Sequence, residues 1–432
     1  MSSEQPAAGT STSRPARLLR RLVHFEPGEA APMLWSFAYF FCLLSSYYTL
    51  RPVRDEMGIA GGVGQLQWLF TATFVVMLAA VPLFGAASAR LPRRRLLPLV
   101  YVFFIVNLLV FHALLGWADT TWTARAFFVW TSVFNLFVVS VFWSFMADLF
   151  TDAQAKRIFA FIAAGGTLGA IVGPMVTATL ATQIGTRHLL LISVVLLAGA
   201  LICILRLLSL DRDTALQPRH GALGGSVWEG FRLVLGSRYL LGIGAFIWLY
   251  TTLSTFLYFE QAHIVRAAFD DPDRRTQLFA AIDLAVNTLT VMLQIAITGR
   301  LLERFGVATT LALIPGLLAL GFVALAVAPV ITVLFAVQVL RRAGEYAITR
   351  PSREVLFTVV ERRSKYKAKN FIDTVIYRGG DAVSGWLFAG LKAAGLGLTG
   401  IALVAAPIAL LWMWLAIKLG RAQRQFAATP RE

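Results

Sequence analysis

A chain of 432 residues that is 58% hydrophobic and only 14% charged, with a mean hydropathy of +0.70, is too apolar for an ordinary soluble domain, where about a quarter of residues are charged. It is also far too apolar for a disordered chain. Several apolar runs reach the roughly 20 residues that cross a bilayer as a helix, so the predicted fold class is all-α, a polytopic membrane protein whose first partner is the lipid bilayer. The net charge of +16 would suggest nucleic acid in a soluble protein; basic loops gathered on one side of a membrane explain it here, and no nucleic-acid partner is expected.

In chain order, residues 1–32 read as a cytoplasmic tail without the apolar core of a signal peptide. Residues 1–16 are polar, and 17–25 suit a short interfacial helix. Twelve spans are predicted, at 33–55, 66–88, 96–116, 126–149, 158–182, 188–208, 240–262, 277–298, 307–327, 330–350, 371–391 and 396–418. They divide into a six-helix bundle over 33–208, a cytoplasmic linker over 209–239, a second six-helix bundle over 240–418 and a tail over 419–432. In the linker, Ser226 to Arg238 places Val227, Phe231 and Val234 on one face, as in a surface helix. With twelve spans, 30 lysines and arginines fall on the side of the termini and 8 on the other, with Arg378 inside a span. That bias predicts both termini in the cytoplasm. Arginine outnumbers lysine 33 to 6, the composition of a GC-rich bacterial genome, so a bacterial inner membrane is expected.

The two bundles repeat one another. Gly85 and Arg90 after span 2 match Gly299 and Arg304 after span 8; Ala155-Lys156 before span 5 matches Ala368-Lys369 before span 11; Gly165-Gly166 matches Gly379-Gly380. The offsets are 213 to 214 residues. Parallel repeats of this kind build alternating-access transporters with a mid-membrane site between the halves. On these residues the chain resembles the major facilitator superfamily, whose loop 2–3 motif is matched by Gly85, Arg90, Arg93 and Arg94, and in the second half by Gly299, Glu303, Arg304 and Gly306. Gly169-x-x-x-Gly173-Pro174 is similar to a span 5 motif of exchangers in that superfamily.

A narrower resemblance runs through Tyr48-Thr-Leu-Arg51-Pro-Val-Arg54-Asp55, Phe142-Trp143-Ser-Phe145, Ala155-Lys156-Arg157, Lys367-Ala368, Ile372-Asp373 and Arg378-Gly379-Gly380. These resemble the nucleotide transporters (ATP:ADP antiporters) of plastids and intracellular bacteria. The resemblance implies nucleotide exchange and puts Arg54 where that family has a substrate-linked lysine. The stretch Ser132 to Asn135 stands where the family has an acidic residue, which makes Asn135 a candidate solute contact. Asp381 stands where the family has its second lysine.

Ionisable groups inside a bilayer are costly and face a cavity or a partner. Tyr47, Arg51 and Arg54 share one face of span 1, either as the wall of an anion site or as arginines snorkelling to the membrane boundary. In span 8, Asp283, Asn287, Thr290 and Gln294 form a polar stripe, a solute or proton path or else interhelical glue. In span 10, Gln338, Arg342, Glu345 and Thr349 share a face, and Arg341 stands four residues before Glu345, the spacing of an intrahelical pair that closes a gate. In span 11, Asp373, Tyr377, Asp381 and Gly385 recur every fourth residue beside Arg378, leaving one acid in excess as a protonation candidate. Tyr250, Ser254, Tyr258 and Gln261 share a face of span 7, a wall suited to hydrogen bonding a polar solute or else a tyrosine belt near the interface, and Gly165, Gly169 and Gly173 are expected to form the sliding interface between the halves. Cys42 and Cys203 lie in apolar runs and the five histidines are scattered, so no disulfide framework, metal or cofactor is expected.

No phosphate-binding Gly-rich loop of the ATP-hydrolysing type is present, and no nucleophile–base pair suggests an enzyme. The expected function is secondary transport of a small organic anion, a nucleotide or phosphorylated metabolite, by a monomer. The alternatives are a proton-coupled exporter of cations or drugs working through Asp283, Asp373 or Asp381, and a non-transporting scaffold.

Overall fold

The computed structural model describes residues 28–117, 120–210 and 227–428, and every regular element among them is helical. The expected tail, its interfacial helix and most of the linker lie outside the described residues. The first half contains α1 (Ala30–Ala60), α2 (Leu66–Arg90), α3 (Arg93–Trp117), α4 (Thr120–Leu149), α5 (Asp152–Ile184) and α6 (Leu189–Leu210). Then come the short α7 (Val227–Gly236), α8 (Arg238–Ala268), α9 (Pro272–Leu293), α10 (Gly299–Val327), α11 (Ile331–Gly344), α12 (Arg350–Leu356), α13 (Arg362–Phe371), α14 (Tyr377–Ala393) and α15 (Leu398–Ala428).

Local chemistry sets the boundaries. Thr151 and Gln154 form a capping box that starts α5, Ser237 caps α8, and Asp271 followed by Pro272 starts α9, each satisfying donors that a helix start leaves open. Gly185, at φ 83°, ends α5. By length and apolarity alone, nine helices among the described residues are able to cross a membrane. Spans 8 and 9 fall in one 56-residue run, which turns at Gly306, whose φ of 71° is in the left-handed region. Spans 10 and 11 escape that measure because they carry more charge, Arg341, Arg342 and Glu345 in one and Arg378, Asp381 and Lys392 in the other, and each is bent by a π-turn, at Glu345–Thr349 and Ile372–Ile376. A third π-turn, Gln294–Thr298, closes span 8.

Two apolar cores result. One gathers Tyr39, Phe127, Phe142 and Ile204 from the first half. The other gathers Phe246, Phe256, Phe322 and Trp412 from the second half, and also takes in Ile59, Leu66, Leu69 and Phe128 of the first. The glycine stripe of α5 packs inside the first half. A Cβ on Gly165, Gly169 or Gly173 would collide with α1 at Phe37, Phe41 and Ser45, or Ser45 and Tyr48. The stripe therefore packs two helices of the same half together and does not lie between the halves as its spacing suggested, since small residues let two backbones approach closely wherever they meet. Pro174 is buried in the same helix. Across the halves α5 instead meets α9, where Asn287 Nδ2 donates to the Ala170 carbonyl and Gln277 Nε2 to the Ala178 carbonyl.

The loop-motif residues lie at the terminal end. Gly85 and Gly299 face open space, and Arg90, Arg94, Glu303 and Arg304 are exposed; nothing is described of the Arg93 side chain. Helix α7 lies against α13, with Gly230 near the Lys367 carbonyl and Phe231 against Phe371.

Candidate functional site

The halves meet tightly at the end remote from the termini. Arg275 Nη2 lies 2.8 Å from Glu56 Oε1, with both side chains almost fully buried. The Tyr258 hydroxyl donates to Asp55 Oδ1 at 2.9 Å. Asp273 accepts from the Thr186 backbone N–H at 2.6 Å, and the hydroxyls of Thr186 and Thr276 are 2.9 Å apart. Trp386 Nε1 donates to Thr71 at 3.0 Å, and its ring stands edge-on to Trp68. Three helix pairs, and the turn between α5 and α6 against α9, thus shut this end.

A layer of charge lies deeper. Arg51 is nine residues from the far end of α1, about 14 Å at 1.5 Å per residue. Asp283 and Arg342 are each eleven residues from the far ends of α9 and α11, about 16 Å. The three converge near the middle of a hydrocarbon core about 30 Å thick. Arg342 Nη2 is 2.6 Å from Asp283 Oδ1, and Arg51 Nη1 is 3.6 Å from the same oxygen. One turn toward the far end, Arg54 donates from Nε to Ser132 at 3.0 Å and from Nη1 to Asp55 at 3.1 Å, with its guanidinium 4.1 Å above the Phe128 ring.

The second half adds a matching set. Arg341 donates to Ser254 at 2.7 Å and to Gln338 at 3.2 Å, and Gln338 donates to Gln261 at 2.6 Å. Arg378 is 3.9 Å from Asp381, which also accepts from Thr255 at 3.4 Å. Arg350 is 3.8 Å from Glu345 and stacks over Tyr346. Around this layer, Arg51, Arg54, Arg341, Arg342 and Arg378 stand with Asp55, Asp283 and Asp381, Glu260 is a further buried acid eight residues from the far end of α8, and the Glu345–Arg350 pair lies nearer the terminal end. The side chains of Arg51, Arg54 and Arg378 keep 16%, 20% and 37% exposure, so none of the three is sealed into the packing between the helices. Guanidinium forks match the paired oxygens of phosphate and carboxylate groups.

Several residues selected by spacing come together here: Arg51, Arg54, Asp283, Arg342, Arg378 and Asp381. Tyr47 stands edge-on to Tyr48 beside Arg51. Others do not behave as the spacing suggests. Arg341 does not pair with Glu345; it binds Ser254 and Gln338, and Glu345 pairs with Arg350. The π-turn that begins at Glu345 brings Arg350, five residues on, into line with it, and the Arg350 backbone N–H bonds to the Glu345 carbonyl. Asp373 is not a spare acid, since Arg353 lies 3.4 Å away. The span 8 stripe divides: Asp283 joins the charges, Asn287 and Thr290 bind backbone carbonyls, and Gln294 is exposed. Tyr250 is buried against Tyr377 and Trp412, and Asn135 is half-buried three residues after Ser132.

Sequence reasoning missed Ser132, Tyr346, Arg350 and the Glu56–Arg275 latch. Glu56 beside Asp55 was a visible signal, but a partner 219 residues away has no local signature. Tyr346 lies among Arg51, Arg342, Arg350 and Arg341, at a position that the π-turn hides from helical arithmetic.

Residues 35–349 match the family model described as Major Facilitator Superfamily. The ADP,ATP carrier protein 1 of Chlamydia muridarum (strain MoPn / Nigg) is 23% identical over 460 residues, covering 90% of this chain and 87% of the relative. Among solved structures, the nucleoside transporter NupG superposes with a TM-score of 0.62 at 14% identity, covering 94% of this chain and 100% of that one. A bacterial homologue of the iron transporter ferroportin in an inward-facing state gives 0.65 at 12%, covering 92% and 100%. The helical architecture agrees with these folds, and the match over most of the chain settles its class: this is a membrane transporter, not an enzyme, and it belongs to the major facilitator superfamily.

Proposed function

We propose that the protein is an alternating-access secondary transporter of a small organic anion, a nucleotide or phosphorylated metabolite, moved by exchange or ion coupling. It works as a monomer in a bacterial inner membrane, with both termini cytoplasmic. The observation that supports this reading is the meeting of Arg51 of one half and Arg342 of the other on Asp283 at mid-membrane depth, with Arg54 and Arg341 on the same two helices and Arg378 on α14. The likeness to carriers named for ADP and ATP supports it. Tyr47, Arg51 and Arg54 on one side, and Arg350 and Arg378 on the other, contact the solute, and Asn135, Asn287 and the buried Arg342–Asp283 pair border it. A solute entering from the terminal end is gripped by arginines of both halves, and the halves then close around it.

The test is uptake by the purified protein in proteoliposomes. Labelled ATP, ADP, phosphate, a sugar phosphate and an organic cation are offered, each with and without internal counter-solute. Uptake of at least one phosphorylated anion, stimulated by internal anion, is expected. Uptake of the cation alone would overturn the reading in favour of an exporter coupled through the acids of α9 and α14.

A further inference from the structure

Asp283 sits between two unequal partners. Arg342, of its own half, is 2.6 Å away and 9% exposed; Arg51, of the other half, is 3.6 Å away and 16% exposed. Neither carboxylate oxygen of Asp283 forms a hydrogen bond of proper geometry, and the same is true of Arg342 Nε and Nη2. Charge, not a well-made fork, holds the group. Arg51 touches no closer anion among the described residues. It reaches across the halves at this depth with a long contact, and its side chain keeps partial exposure.

We infer that Asp283 is the resident competitor for Arg51: it holds this arginine across the halves while the carrier is empty, and an acidic group of the solute takes Arg51 over on binding. The inference rests on the anion reading above. A phosphate or carboxylate that presents two oxygens to a guanidinium makes shorter, charge-assisted hydrogen bonds than a single oxygen at 3.6 Å. The exchange leaves no stranded charge, because Asp283 keeps Arg342 as a buried pair, whereas a carboxylate stripped of both partners would be very costly. An empty carrier tied by Arg51 to Asp283 resists reorienting, and a loaded one is released. Asp283 thereby enforces exchange: the carrier returns only with cargo.

The test compares the wild type, Asp283→Asn and the double variant Asp283→Asn/Arg342→Gln in proteoliposomes. The double variant removes both members of the buried pair and covers the case in which the single substitution strands Arg342 and the protein fails to fold. In Asp283→Asn the half-saturating anion concentration is expected to fall about fivefold or more, the lower range of coupling between linked sites. In both variants, efflux without external counter-solute should rise toward the exchanged rate. Unchanged affinity together with unchanged dependence on counter-solute overturns the inference, as does loss of all transport by variants that reach the bilayer folded. A wild type that moves anions equally well without counter-solute overturns it too. A wild type that moves no anion at all sinks the anion reading itself, which separates the two failures.

Discussion

Arg54 performs three tasks with one side chain. Its Nε serves Ser132, its Nη1 serves Asp55, and its flat face covers Phe128. Lysine keeps the charge but has a single donor centre and no flat face, so Arg54→Lys is not a conservative change. A hydrogen bond to a charged group contributes about 1.5–3 kcal/mol, and the loss of this geometry should cut the initial rate of anion uptake roughly tenfold or more. Ser132→Ala removes one acceptor and should cost only a few-fold. Both are read as initial rates per unit of protein in proteoliposomes, and a lysine variant with the wild-type rate would show that Arg54 acts as a bare charge. Glu56 and Arg275 make a different residue-scale prediction. Their pair is buried and crosses the halves. Removing one partner strands the other charge, at a cost of about 3–5 kcal/mol, whereas removing both costs far less. Glu56→Gln should therefore lower the thermal midpoint in detergent sharply, and Glu56→Gln/Arg275→Met should recover most of the loss. Additive losses would show that the two residues do not act as a pair.

Helices were legible in this sequence to the extent that their determinants are local. Apolar length revealed the spans, and the Ser226–Arg238 pattern revealed α7. What a helix packs against was less legible. The spacing of Gly165, Gly169 and Gly173 announced a close approach but not the partner, and the partner is α1. A Cβ on Gly169 would stand 2.5 Å from the Phe41 carbonyl, so Gly169→Ala should push the helices apart at a cost of about 1–3 kcal/mol. Gly85, whose Cβ direction is open, should accept alanine without loss, although both glycines belong to motifs. Thermal unfolding of the two variants in detergent checks this, and equal losses would contradict the packing described. The π-turns mark the second limit of legibility. All three lie in the second half, and each inserts a residue that shifts every side chain beyond it around the helix. That is why Arg51, Arg54 and Asp283, on unbroken helices, were found by spacing, while the partners of Glu345 and the place of Tyr346 were not.

At the scale of the whole molecule, the far end is shut and the charged layer lies behind the seal. Transport by alternating access requires that seal to open. The hydroxyls of Thr186 and Thr276 belong to opposite halves and lie 2.9 Å apart, so cysteines at both positions bring two sulfurs into bonding reach. A disulfide tolerates Cβ atoms about 3.5–4.5 Å apart. The natural cysteines, Cys42 and Cys203, are both in the first half and both free, so replacing them with alanine gives a clean background. In Thr186→Cys/Thr276→Cys, oxidation should form the bond and stop uptake in proteoliposomes, and reduction should restore it. The reduced form serves as its own control for folding. Solute binding should survive in the locked state, because the terminal end, where the arginines are reached, is not part of the cross-link. A protein whose cross-link forms in full and which still transports at the reduced rate would mean that the far end never opens, and the two halves would not rock about this seal at all.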